Sequence, residues 1–162
     1  MSWLRALVLG AGLVAVSAAA ADDDNKPGKL DPGKLVGTYK ITDGKKAGDK
    51  IGDDAKKGAV IFTKEAITIK GDDMTFKFGY KLDPKETPAA IDMEITEPDA
   101  LKGAKALGII KLEGGEVTLC YHPEGKERPK KFESTKDNGY YMFTMKKEQG
   151  EGKVEKKKKD DR

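Results

Sequence analysis

The feature that most constrains the fold is an alternation of apolar and polar residues between positions 74 and 82. Every second position is apolar: Met74, Phe76, Phe78, Tyr80 and Leu82. A helix would spread these side chains around its axis, whereas a pleated strand places them all on one face. The stretch therefore predicts a β-strand with one buried face.

Similar patterns recur along the chain, separated by glycine, proline, aspartate and asparagine. We predict strands over residues 36–41, 59–63, 66–70, 74–82, 90–96, 104–112, 116–122, 131–134 and 141–146. The stretches 112–117 and 135–140 have hairpin-like turns. Many short strands joined by tight turns, without a sustained helical period, are typical of a closed sheet. We therefore expect an all-β fold: a small antiparallel up-and-down barrel of about eight or nine strands.

The N-terminal 21 residues have the pattern of a signal peptide. A positive Arg5 precedes an uncharged run that ends in small residues just before Asp22. We therefore expect export to the periplasm or the extracellular space, with no stable membrane insertion after cleavage. Residues 22–34 are interpreted as a flexible leader, 35–148 as the barrel domain, and 149–162 as a disordered Lys-rich tail.

Charge and cysteine content further narrow the classes of protein to which the chain can belong. The chain has 31 Lys+Arg against 28 Asp+Glu, a net charge of +3. So small an excess of basic residues is not typical of nucleic-acid-binding proteins, and we expect no nucleic-acid partner. Cys120 is the only cysteine, so no disulfide can form within the chain. Stability must then come from packing and strand pairing.

Two segments resemble known sequences. Leu35-Val-Gly37-Thr-Tyr39 is similar to the Gly-x-Trp opening of lipocalin barrels, with Tyr39 in place of tryptophan. Residues 107–132 continue through a Gly-Gly turn and Cys120 into a loop that ends Arg128-Pro-Lys-Lys-Phe132. This segment resembles an uncharacterised lipocalin-like domain family that is abundant in exported proteins of planctomycete-type bacteria.

The resemblance implies a lipocalin-like barrel over roughly residues 35–148. In true lipocalins an arginine of the last strand caps the first-strand aromatic residue, whereas this chain has Lys146-Lys147 at that place. The family has no established activity, and fold alone does not determine function.

Catalytic and metal sites are not expected. Cys120 and His122 lie two residues apart on one strand face, about 7 Å from each other, and no third group is positioned to complete a nucleophilic site. One histidine and one cysteine cannot complete a zinc site. The pairs Asp53-Asp54 and Asp72-Asp73 lack the alternating ligand spacing of a calcium loop. We expect a protein that is not an enzyme and binds no metal or cofactor.

The inward-facing side chains are the best candidates for function. An eight-stranded barrel is just wide enough to be filled by side chains or to hold one small ligand. If a pocket exists, we expect it to bind a small apolar or amphipathic molecule. The predicted ligand-binding residues are Tyr39, Phe76, Phe78, Tyr80, Met93, Tyr121 and Phe143.

An alternative function is open at this point. With a filled core, the protein would be a structural or interaction module that contacts another exported macromolecule through its loops, at residues 43–58 and 121–131. The interior volume of the barrel distinguishes the two functions.

Overall fold

The computed structural model describes residues 30–71 and 74–148. Two short helices, a 3-10 turn (Asp99–Leu101) and nine strands occur within these ranges. The elements are α1 (Pro32–Leu35), β1 (Gly37–Lys46), β2 (Asp49–Lys50), α2 (Asp53–Lys57), β3 (Ala59–Phe62), β4 (Ala66–Lys70), β5 (Thr75–Asp83), β6 (Ala89–Glu97), β7 (Lys105–Glu113), β8 (Glu116–His122) and β9 (Tyr141–Lys147).

The sheet closes into an eight-stranded antiparallel barrel. Each of the strands β3 to β9 pairs with its neighbour in the chain, and β1 pairs with both β3 and β9. The short β2 is an additional strand hydrogen-bonded to the end of β1. The prediction of an all-β up-and-down barrel is confirmed. Closure pairs every barrel strand on both sides, so no long edge is left open.

A bulge in β1 changes which residues face the interior. Ile41 is opposite Met145, but the next pair joins Asp43 to Thr144, so Thr42 is the extra residue. Its hydroxyl donates to the carbonyl of Thr144 over 3.1 Å. Side chains alternate between the two faces of a strand. Because of the one inserted residue, odd-numbered side chains of β1 face the interior before the bulge and even-numbered side chains face it after the bulge.

The predicted strand at residues 131–134 is wrong. These residues are irregular and belong to a long connection, residues 123–140, between β8 and β9. The predicted turn at 135–140 is present, but inside this connection: the Asn138 side-chain oxygen accepts from the amides of Thr135 and Tyr140. The other hairpin is confirmed, with Gly114 and Gly115 at positive φ between β7 and β8.

The long connection covers part of the outer barrel surface. Ala90, Ile109 and Cys120 point outward yet are buried, and Pro129 is buried with them. The Arg128 guanidinium anchors the connection by donating to the carbonyls of Ile91 (3.1 Å) and Gly108 (2.7 Å). The middle parts of β7 and β8 are thus buried on both faces, which explains the apolar run at Ile109-Ile110 and the buried run from Val117 to Cys120.

The folded part extends further toward the N-terminus than Leu35. Leu30 and Leu35 are both buried, and the Asp31 carboxylate accepts from the Gly33 amide to cap α1. Leu30, interpreted from sequence as part of the flexible leader, therefore packs against the barrel core, whereas residues 31–34 are exposed. The predicted signal peptide, residues 22–29 and the predicted tail lie outside the described residues. Among the described helices, none has the length and apolarity needed to cross a membrane.

Candidate functional site: the barrel interior

One end of the barrel is filled by side chains. Tyr39 is fully buried, and its hydroxyl donates to the Leu35 carbonyl over 2.9 Å. The Tyr39 ring meets the Phe62 ring edge-on, with 5.3 Å between the centres. Burial raises the pKa of the Tyr39 hydroxyl, with a further contribution from Tyr80. This end is a packed core with α1 across it.

The other end is hollow. A cavity of about 510 Å³ occupies this half of the barrel, within the range typical of small-molecule sites. Its mouth lies where β1, β4, β6 and β8 end, with α2 residues Asp54 and Ala55 at the rim. The deepest lining residues are aliphatic: Ile41, Val60, Ile67, Leu119 and Met145. The interior is therefore neither completely filled nor completely empty.

Four of the seven predicted ligand-binding residues line this cavity: Phe76, Phe78, Tyr121 and Phe143. The rings of Phe76 and Phe78 are nearly parallel, with centres 6.5 Å apart. The rings of Tyr121 and Phe143 are arranged similarly, at 6.2 Å. Two aromatic pairs thus contribute to an apolar wall, one from β5 and one from β8 and β9.

The other three predicted residues face inward but do not line the cavity. Tyr39 lies in the filled end, as described above. Tyr80 packs at 6.4 Å from Phe62, and its hydroxyl donates to the Thr63 carbonyl over 2.7 Å. Met93 is buried in the same core. The structure therefore places Tyr39 and Met93 in the packed core and Tyr80 partly buried against it, rather than at the candidate site.

Polar groups occur near the mouth, on one side. No hydrogen bond joins the Tyr121 hydroxyl to another described residue, and burial, with the neighbouring Tyr141 and Cys120, raises its pKa. The Tyr141 ring lies edge-on to Tyr121 at 5.7 Å. The Lys46 ammonium lies 5.7 Å from the centre of the Tyr141 ring, a cation–π distance.

Lys46 and Tyr141 were not among the predicted site residues. Tyr141 continues the inward series of Phe143 and Met145, so the alternation in β9 contained the signal for it. Lys46 could not be found this way. Alternation from Tyr39 and Ile41 places even-numbered residues outside, and only the bulge at Thr42 brings Lys46 opposite Tyr141 on the inner face.

A second cavity, about 530 Å³, lies on the outer surface beside the β5–β6 turn and Arg128. Its lining mixes cationic, carboxylate and apolar groups, and the Arg128 guanidinium already forms a salt bridge with Asp92. The interior cavity is the better candidate because its wall is continuous, apolar and enclosed by the barrel.

Cys120 and His122 do not form a pair. The Cys120 thiol donates to the Glu133 carbonyl at 3.6 Å, and burial raises its pKa to about 11. The His122 Nδ1 accepts from the Glu124 amide at 3.1 Å, which stabilises the turn after β8. A protonated thiol under the loop is not an activated nucleophile at neutral pH. Within residues 30–71 and 74–148, no three potential metal-ligating side chains converge.

The fold and the site define a closed antiparallel β-barrel with an apolar cavity open at one end. In comparisons with protein-family models, with curated proteins and with solved structures, nothing matched the chain.

Proposed function

We propose that this protein is an exported, non-enzymatic binding protein that holds a small apolar or amphipathic molecule in the hollow half of its barrel. The interior cavity of about 510 Å³ is the observation that supports this function most strongly. Burying an apolar molecule against the Phe76, Phe78 and Phe143 rings would release about 25 cal/mol for each Å² removed from water. The signal-peptide pattern of residues 1–21 supports export.

The division of the interior supports the proposal as well. Tyr39, Phe62 and Leu35 pack tightly at the filled end, so the empty volume is confined to the other half of the barrel. Empty apolar volume generally costs stability. A cavity that is lined by aromatic and aliphatic side chains and open to solvent is accounted for by a ligand.

Titration with the neutral fluorophore N-phenyl-1-naphthylamine tests this function. The test compares wild type with Ala106→Phe, because Ala106 lines the cavity opposite Met93 and a ring there occupies part of the volume. Thr68→Phe is the matched control, because Thr68 alternates with inward-facing Ile67 and Ile69 and so points outward.

We expect saturable binding of one probe to wild type and to Thr68→Phe, and at least tenfold weaker binding to Ala106→Phe. Circular dichroism verifies that both variants fold. Non-saturable binding to the folded wild type, or equal affinities for all three proteins, would overturn the proposal. The segments at residues 43–58 and 121–131 would then be the next surfaces to test for a macromolecular partner.

A further inference from the structure

We infer that the ligand is an anionic amphipath, with its apolar chain inside the barrel and its negatively charged head group at the mouth beside Lys46, Tyr141 and Tyr121. This inference rests on the proposed function. It adds the sign of the ligand's charge and the direction in which the ligand enters.

The first support is the position of Lys46. The bulge at Thr42 puts Lys46 on the inner face of β1, at the last barrel pair before the mouth. Lys46 forms no salt bridge with any acid in the described ranges, and its ammonium lies against the Tyr141 ring. Lys46 is exposed, so its charge acts on a negative head group at the mouth and not deep in the interior.

Two tyrosines lie on the same side of the barrel as this cation. Tyr121 and Tyr141 are directly opposite one another in the β8–β9 pair, and Tyr141 is opposite Lys46 in the β9–β1 pair. Neither hydroxyl forms a hydrogen bond with another described residue. The lysine and the two tyrosines thus offer donors from three neighbouring strands on one side of the mouth. Carboxylate, sulfate and phosphate oxygens all accept from such donors.

The acid at the rim does not cancel this preference. Asp54 lines the mouth from α2, but its carboxylate is 2.7 Å from the Lys57 ammonium. Lys70 and Lys105 also border the cavity; by strand alternation their side chains point outward, where they add positive potential around the rim. Asp49, which is opposite Lys46 in the β1–β2 pair, lies 3.6 Å from the Lys136 ammonium. Among the described residues that line the cavity there are thus three lysines and one carboxylate, that of Asp54.

The cavity floor determines the orientation. Ile41, Val60, Ile67 and Met145 offer a buried charge no hydrogen-bonding side chain. A charged head group placed there would lose its hydration without compensation, which is unfavourable. The apolar chain must therefore enter first.

Competition against bound N-phenyl-1-naphthylamine tests the inference. Decanoate, decanol and decyltrimethylammonium have the same chain and carry negative, neutral and positive head groups. Each is titrated into wild type, Lys46→Met and Lys45→Met. Methionine keeps the apolar stem and removes the charge, and Lys45 lies on the outer face of the same strand as the control.

We expect Lys46→Met to weaken decanoate binding about three- to tenfold, to change decanol binding less than twofold, and to strengthen decyltrimethylammonium binding. Lys45→Met should leave all three affinities within twofold of wild type. If the probe binds but Lys46→Met changes decanoate and decanol affinity equally, or changes neither, the inference is wrong and the proposed function stands. If the probe itself does not bind saturably, both fail.

Discussion

The Lys147 ammonium lies 5.8 Å from the centre of the Tyr39 ring and donates to the Lys34 carbonyl over 3.1 Å. The last strand of the barrel is thereby connected to the first strand and to α1 at a single point. With the hydrogen bond from Tyr39 to the Leu35 carbonyl, this arrangement closes the filled end.

The hydrogen bond from Tyr39 at the filled end predicts how much stability is lost when its hydroxyl is removed. Tyr39→Phe should lower the free energy of unfolding by about 1 to 2 kcal/mol, because the buried Leu35 carbonyl loses its donor. Tyr80→Phe is the matched control, since its partner, the Thr63 carbonyl, is in an exposed hydrogen bond that water can replace. Urea unfolding measures both. Equal losses in the two variants would show that Tyr39 does not occupy a buried hydrogen bond.

The contacts of Arg128 lead to a prediction about how accessible the only cysteine, Cys120, is to reagents. Arg128→Ala removes the donors that fix the long connection to the Ile91 and Gly108 carbonyls, so the segment over Cys120 should open more often. We expect Cys120 to react at least tenfold faster with an aromatic disulfide reagent than in wild type. Lys126→Ala is the control, because Lys126 pairs only with exposed Glu124. An unchanged labelling rate would mean that Arg128 does not anchor the connection.

The raised pKa of Cys120 predicts a loss of stability at alkaline pH. Its pKa is about 11 in the folded protein, against an ordinary value of 9.0. Between these values the folded state keeps a proton that the unfolded state has released, so stability is full below pH 9 and falls as pH rises toward 11. Burial also raises the pKa of Tyr39, Tyr80 and Tyr121, so their ionisation likewise lowers stability at alkaline pH.

The free energy of unfolding of wild type and Cys120→Ser, measured from pH 7 to pH 11, tests this prediction. The serine variant should lose less stability between pH 9 and pH 11, while both proteins decline above pH 10 as the tyrosines ionise. Parallel profiles would contradict a proton held by Cys120.

Much of the barrel could be predicted from the chain because strand alternation is local. The Met74–Leu82 pattern and the Gly114-Gly115 turn each determine their own geometry. The features that could not be predicted depend on contacts between distant parts of the chain. The 131–134 stretch is expected to be a strand, but it lies in the connection that Arg128 fastens to the Ile91 and Gly108 carbonyls, which are distant in the chain. Lys46 is inward only because a bulge forms against β9. The cavity itself depends on how far side chains from opposite strands reach, which no single strand reveals.

The signal-peptide pattern of residues 1–21 predicts the mass and the fluorescence of the exported protein. If cleavage occurs before Asp22, the released protein loses Trp3, the only tryptophan, and keeps five tyrosines and five phenylalanines. The exported product should have a mass that begins near Asp22 and tyrosine-like fluorescence. Tryptophan emission from the exported protein would show that residues 1–21 are retained.

A crystal structure of residues 22–162 grown with N-phenyl-1-naphthylamine tests the central claim most directly. We predict electron density for one probe in the hollow half of the barrel, between the Phe76–Phe78 pair and the Tyr121–Phe143 pair, with Tyr39 and Phe62 packed below it. A barrel filled by its own side chains at that level, or a probe bound only on the outer surface, would contradict a binding function for the interior.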